Sequence, residues 1–436
     1  MLPRIGLLRW RSPKFQIACA IALGLLLEVL FHQFYYYVPR PYEDLDPVFQ
    51  VGCREPNTTA PRENAAIIML ARNEDLGSAI SSLQSLEDHF NRWFHYTVIF
   101  MNDEPFSAEF QDGVSKVVSG ETKFEVIGKD LFGYPSWMDE ATGRELVKAN
   151  GDLGVHKGSM ESYHHMCRFY SGKFYDVPAL KGYRYYWRVE PHVQFSCAVT
   201  YDPFRLMREK KKKYGYTIAL WELDNTVPDL FRVVSEFKAA RRIRDTSLWK
   251  AFIRPSWMPW GLRWLKAGQS LHDAKGDSWN LCHFWSNFEI GDLDFFRSQE
   301  HRDFFEYLDS RGGFYAERWG DASVHAFAAA LLLKPEELHH FEDFGYYHDP
   351  WVVAPANALG KQLENSEVLG PLGEHVVEGE EGGTGCRCER KQVRNFQNYC
   401  INKVQKSTRP TAWPNKMWVE KKKEEQVAVS GEKSEG

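Results

Sequence analysis

The stretch Gly182-Tyr-Arg-Tyr-Tyr-Trp-Arg-Val-Glu190-Pro191-His192 joins an aromatic run of strand character to a carboxylate, a proline and an imidazole. Tyr185, Trp187 and Val189 alternate with Tyr186 and Arg188, the period of a strand buried on at least one face. Pro191 has no N–H to give to a ladder, so pairing is predicted to stop there and the chain to turn. Glu190 and His192 then lie at the carboxyl edge of a sheet, where open α/β folds bind their ligands. Acidic and imidazole groups at a strand end suit a divalent cation held against a phosphate.

Upstream, Ala65–Ala71 is a short apolar strand followed by Arg72-Asn73-Glu74-Asp75. Leu76, Ile80, Leu83, Leu86, Phe90 and Trp93 then recur at helical spacing, and Tyr96–Met101 returns as a second strand. This β-α-β opening belongs to a nucleotide-binding α/β fold. It carries no glycine-rich phosphate loop, so a metal is the expected cradle for phosphates. Downstream, Tyr216–Trp221 reads as a strand, and Thr226-Val227-Pro228 as the start of a helix reaching Ala240. Trp249 to Trp264 is rich in tryptophan and broken by Pro255 and Pro259, so it is no single helix; it lines an acceptor site or packs as an aromatic flap. Asn280–Ile290 reads as one buried strand whose Glu289 needs a cavity or a partner. Helices are expected over Asp294–Arg311 and Ala322–Leu333, then a polar loop from His339 to Pro350 dense in possible ligands. Ligand type there leaves zinc and manganese both open.

At 436 residues and 43% hydrophobic content the chain buries a large core, and a net charge of -5 argues against a nucleic-acid binder that works through a basic field. An aromatic content of 15% suits carbohydrate and core alike. Phe15–Val38 is almost wholly apolar and long enough to span a bilayer, interrupted by Glu28 and His32. Arg4, Arg9, Arg11 and Lys14 precede it and Glu43, Asp44 and Asp46 follow, which puts the N-terminus in the cytosol and the bulk in a lumen. The expected order is a cytosolic tail at 1–14, a signal-anchor at 15–38, a stem at 39–63, one catalytic domain at 64–405 and a disordered tail at 406–436. Gln362–Gly385, rich in Gly and Glu, is expected to be mobile. Of 8 cysteines, Cys19 falls in the span; Cys386, Cys388 and Cys400 read as disulfide partners, and the odd luminal number leaves a thiol free and buried. Asn57-Thr58-Thr59 is an acceptor sequon outside the membrane.

Several stretches together resemble the fungal α-1,2-mannosyltransferase family of the glycolipid 2-α-mannosyltransferase type, glycosyltransferase family 15. They are Arg72-Asn73, Leu86–Asn91, Phe100–Phe106, Ser162–Phe169, Trp187–Pro191, Cys282–Ile290, Glu317–Asp321 and Phe344–His348. The resemblance implies a GT-A-like α/β fold with a mixed central sheet in a single luminal domain behind the membrane helix. It further implies a type II Golgi enzyme that uses GDP-mannose and Mn²⁺, retains the α configuration and acts on a mannosylated glycan acceptor. Carried over by residue, Glu190 and His348 become metal ligands, Glu190 and Arg72 donor-binding groups, Glu289 the nucleophile, and Tyr163 a catalytic neighbour of the donor sugar. His192 stands where the family has an acid, and is expected to orient through a hydrogen bond rather than to ligate. A glycosidase with two paired carboxylates, or a lectin-like binding protein using metal and aromatic rings, are the alternatives from other classes.

Overall fold

A computed structural model describes residues 12–35, 53–353, 362–373, 376, 385–389 and 398–408. Residues 409–436 of the expected tail and most of the expected stem lie outside the described residues.

The apolar runs flanking the quoted stretch build one sheet. Its seven strands stand in the order Leu338–His340, Tyr214–Tyr216, Glu289–Asp292, Tyr185–Arg188, Ala65–Leu70, Thr97–Asn102 and Thr122–Val126. Pairing is parallel except along Glu289–Asp292, which runs antiparallel to both neighbours, so the sheet is mixed as expected. Strand alternation divides the core in two. Ala66, Ile68, Tyr186 and Tyr214 face one apolar cluster, with the helices Glu161–Gly172 and Asp321–Leu332 above it. Ala65, Ile67, Trp187 and Ile290 face the other, closed by Ala79, Leu83 and Leu86 of the helix Leu76–Leu86. Trp187 is fully buried; an aromatic ring of that size is worth several kcal/mol, roughly, at about 25 cal/mol per Å².

A smaller sheet sets the position of His348. Tyr346–His348 pairs with Gln194–Phe195 on one side and Trp351–Val353 on the other, directly after the turn at Pro191. Gly345 permits the approach, since a Cβ there would lie 2.4 Å from Ser196 Oγ and 2.6 Å from Cys197 Sγ. The loop expected from His339 to Pro350 is therefore two strands, one in each sheet; their side chains bury on alternate faces, which a count of polar residues hides.

Other elements break where local chemistry interrupts them. Asn280–Ile290 is two strands, because Cys282–Phe284 leaves the main sheet to pair with Ala219–Trp221. Tyr216–Trp221 splits the same way. The helix expected from Asp294 to Arg311 is Leu293–Phe296 and Gln299–Asp309, restarted by Ser298, whose hydroxyl accepts from the His301 N–H.

The expected domain edges move outward. Cys53 is bonded to Cys386, Cys197 to Cys388 and Cys282 to Cys400, while Cys167 is free and buried. Arg62 donates to the carbonyls of Trp93 and Phe94, so residues from Cys53 onward pack on the domain and are not stem. The helix Tyr399–Thr408 carries Cys400 and runs past the expected boundary at 405. Residues 362–373 are also held, with the Ser366 hydroxyl and the Val368 N–H both donating to Glu55. The apolar helix at the N-terminus is Pro13–Tyr35.

Candidate active site

The turn after Tyr185–Arg188, the end of Tyr346–His348 and the starts of two helices converge on one cavity of about 530 Å³. Tyr163, Glu190 and His348, expected at the site, all line it. Tyr163 and Met166 share one face of the helix Glu161–Gly172 at i,i+3 spacing and line the cavity, while Phe169 and Tyr170, a turn further along, are buried. Lys157 Nζ lies 4.6 Å from the Tyr163 ring centroid and Arg318 Cζ 5.5 Å from it. Burial keeps the Tyr163 phenol well above its ordinary pKa, so its hydroxyl remains a donor at neutral pH.

Arg188 ties the floor of the cavity together. Its Nε donates to Glu190 Oε1 at 3.0 Å, its Nη2 donates to the same oxygen, and its Nη1 donates to Asp321 Oδ2 at 2.6 Å. The Ser286 hydroxyl donates to that Asp321 oxygen at 2.7 Å. Burial alone would raise the Asp321 carboxyl; Arg188, His325 and Ser286 outweigh it and hold the carboxyl below its usual range, so it is ionised. Glu222 behaves likewise, its burial overcome by His283 and Arg318. Trp221, Trp285 and Trp351 supply apolar wall.

Four buried polar atoms on the cavity wall have no hydrogen-bond partner among the described residues: His348 Nδ1, His283 Nδ1, Asn287 Nδ2 and Arg318 Nε. Buried polar groups are nearly always paired, so such a group around one space marks where a polar ligand belongs. His348 stands edge-on to Trp285 with centroids 4.8 Å apart. Burial lowers its pKa, with Glu190 opposing and His192 adding to the effect, so the ring is a neutral ligand at pH 7. Among the described residues no group of three or more His, Cys, Asp and Glu is placed to hold a metal. Glu190 and His348, one carboxylate and one neutral imidazole on the same cavity wall, are the side chains there whose chemistry suits a divalent cation.

Three expected site residues are placed elsewhere. Glu289 is fully buried and is not on the cavity wall. Its Oε1 accepts from Tyr186 at 2.9 Å and its Oε2 from Tyr214 and from His325 Nδ1, both at 2.9 Å. With both oxygens engaged behind Arg188, its register partner, it has no access to a sugar in this structure, and the expected nucleophile is corrected to a buried anchor. Arg72 is exposed, pairs with Glu74 at 2.7 Å and lies outside the cavity; its position after the first strand faces it to solvent. His192 is exposed with a φ of 69° and does not line the cavity, though it lies near enough to influence His348. The reading of the sequence missed Arg188, Glu222, Arg318 and Asp321. Arg188 sat inside the quoted strand, and Arg318 and Asp321 in a quoted block with no role given.

A mixed α/β sheet with a polar cavity at its carboxyl edge and unpaired buried polar atoms around it has the form of a nucleotide-sugar glycosyltransferase site. The chain matches the family model for glycolipid 2-alpha-mannosyltransferase over residues 43–367, and it belongs to that family. It is 42% identical over 355 residues to O-glycoside alpha-1,2-mannosyltransferase homolog 4 of Schizosaccharomyces pombe, covering 75% of this chain and 80% of that one. Glycolipid 2-alpha-mannosyltransferase 1 of Candida albicans is 41% identical over 321 residues, covering 73% and 70%. Among solved structures, core-mannan synthase A of Aspergillus fumigatus in a Mn/GDP form superposes with a TM-score of 0.65 at 33% identity, covering 84% of this chain and 91% of that one. The mannosyltransferase Ktr4p of S. cerevisiae in complex with GDP gives 0.63 at 32% identity, covering 77% and 83%.

Proposed function

We propose that this chain transfers mannose from GDP-mannose to the 2-hydroxyl of a mannose on a glycan acceptor, keeping the α configuration, with Mn²⁺ held by Glu190 and His348. The acceptor belongs to an N- or O-linked glycoprotein chain or a glycolipid. The observation that carries this reading is the set of unpaired buried donors and acceptors on one cavity wall. Its support is membership of a mannosyltransferase family and likeness to two enzymes solved with GDP.

In the reaction the bond from mannose C1 to the β-phosphate oxygen breaks and a bond from the acceptor oxygen to C1 forms, while the acceptor hydroxyl passes its proton to the departing β-phosphate oxygen of GDP. Manganese, when bound, offsets the charge that gathers on the departing diphosphate. Arg318 offers a fixed cation and a free Nε–H to an anionic or hydroxyl oxygen. Tyr163 donates to an oxygen of the donor sugar, and Arg188 keeps Glu190 and Asp321 in fixed orientation. Glu289, buried and accepting three hydrogen bonds, favours retention without a covalent bond to it. The apolar helix anchors the chain as a type II protein in the Golgi membrane with the catalytic domain in the lumen.

The test is transfer from GDP-mannose to methyl α-mannoside by the purified full chain with Mn²⁺, with the product linkage read by NMR. A 1,2-linked α product is expected. Hydrolysis of mannosides with no need for a nucleotide sugar would make the protein a glycosidase, and saturable sugar binding without turnover would make it a lectin.

A further inference from the structure

The segment from Ile253 to Lys266 carries the three most exposed tryptophans among the described residues, and none of them lines the cavity. Trp257, Trp260 and Trp264 are 79%, 72% and 66% exposed, and Leu262 and Leu265 are each 47% exposed. Trp260–Lys266 is a 3-10 helix whose one buried residue, Arg263, points back toward the N-terminal helix. Contiguous apolar surface of this kind marks an interaction site.

Where it lies shows with what. Arg263 Nη2 donates to Glu28 Oε1 at 3.0 Å and lies 2.8 Å from His32 Nε2, and the Trp260 N–H donates to Glu28 Oε2 at 3.2 Å. The His32 and Trp257 rings stack with centroids 4.7 Å apart and planes 9° off parallel. Arg263 Cζ sits 5.1 Å from the centroid of Phe31. Glu28, Phe31 and His32 form one face of the last two turns of Pro13–Tyr35. The ionisable residues that interrupt the apolar run are thus the contact points of a latch, and the helix before Glu28 is left exposed.

Counting from Pro13, about 20 helical residues cross a hydrocarbon core of about 30 Å, which brings the boundary to the neighbourhood of His32. The tryptophans attached there stand at the depth where indole rings partition between acyl chains and headgroups. Lys266 and Arg254 flank them and can meet headgroup phosphates. We propose that residues 253–266 are a second membrane contact, a tryptophan-rich interfacial foot that seats in the bilayer surface beside the anchor helix and, through Arg263, fixes the catalytic domain against the membrane. This rests on the reading of Pro13–Tyr35 as a membrane span.

The test uses the full chain with Cys19→Ser, reconstituted in phosphatidylcholine vesicles that carry a nitroxide either near the headgroup or at mid-chain. A fluorophore is placed at Trp260→Cys, Trp264→Cys, Leu23→Cys or Lys148→Cys in separate proteins. Labels at 260 and 264 should lose most of their emission to the shallow nitroxide, label 23 to the deep one, and label 148 to neither. Label 23 quenched with 260 and 264 untouched overturns the foot and leaves the anchor; label 23 untouched overturns both. A blue-shifted label at 260 that neither nitroxide quenches means that protein or glycan covers the patch, and also refutes the proposal. Arg263→Ala should abolish shallow quenching at 264 while label 23 and GDP binding stay as they were; unchanged quenching there would refute the latch.

Discussion

Glu289→Gln separates a nucleophile from a buried anchor. In the structure Glu289 accepts three hydrogen bonds, two from the Tyr186 and Tyr214 hydroxyls and one from His325 Nδ1. His325 also directs Nε2 to the Tyr170 carbonyl at 2.8 Å, so both ring nitrogens face oxygen atoms, an arrangement that favours the imidazolium. Burial would lower His325, but the Glu289 carboxylate and that carbonyl outweigh it and raise the pKa. A glutamine cancels the charge opposite the imidazolium and turns an NH₂ toward a group that already donates. Breaking a buried pair this way costs about 3–5 kcal/mol. Unfolding entropy of about 2 cal/mol/K per residue over ~300 residues gives about 0.6 kcal/mol/K, hence a fall in Tm of about 5–8 °C. Differential scanning calorimetry beside single-turnover transfer on the folded protein, well below Tm, reads both effects. A large drop in Tm with transfer reduced no further than the network's loosening of Arg188 explains is the expected result. Wild-type Tm with transfer abolished would refute the reasoning and restore Glu289 as the nucleophile.

Asp343 is buried beside Tyr201, and burial pushes its carboxyl up to about 7. The folded state thus holds the proton more tightly than the unfolded chain, and stability falls as pH rises from about 4 to 7; Asp343→Asn should stabilise the protein increasingly across that window, by up to roughly 4 kcal/mol, in urea titrations at several pH values, and a pH-independent difference would count against it. Cys400→Ala opens a loop of 118 residues closed by Cys282–Cys400 and should cost about 2–5 kcal/mol, seen as a shifted denaturant midpoint; an unmoved midpoint would count against that bond's contribution. Arg318→Lys keeps the charge but loses the free Nε, so the KM for donor should rise about tenfold or more with Tm little changed; an unaltered KM would remove Arg318 from the donor site.

Where burial and period coincide, the sequence was readable. The alternation through Tyr185–Arg188 and the run Ala65–Leu70 told the strands and their burial, while their place in the middle of the sheet came only with the structure. The stop at Pro191 followed from a missing donor. The split of Asn280–Ile290 was not legible, because leaving one sheet for another at Trp285 to Phe288 depends on partners more than 60 residues away. Glu289 shows the limit most sharply. An isolated carboxylate in a strand signals a partner or a cavity, and the choice was set by Tyr186, Tyr214 and His325, which the fold alone brings to it. Glu28 and His32 looked like flaws in a membrane span until Arg263 was placed between them. Arg188 escaped notice because an arginine inside an aromatic strand has no motif of its own; its role appears only with Asp321 opposite.

The central claim is that Glu190 and His348 hold a cation against the donor diphosphate, and calorimetric titration of GDP with and without Mn²⁺ tests it most directly. Wild type should bind GDP much more tightly with Mn²⁺, and Glu190→Ala and His348→Ala should each remove that gain while keeping their folded signal. Loss of an outer hydrogen-bonding partner alone costs about 10–100-fold in metal affinity, so loss of a ligand should cost at least as much. Because burial lowers the His348 pKa, the ring stays neutral below the usual imidazole value of about 6.5, and the Mn²⁺ gain should survive past that pH and vanish only on further acidification. A Mn²⁺ gain that persists undiminished in both variants would contradict the site.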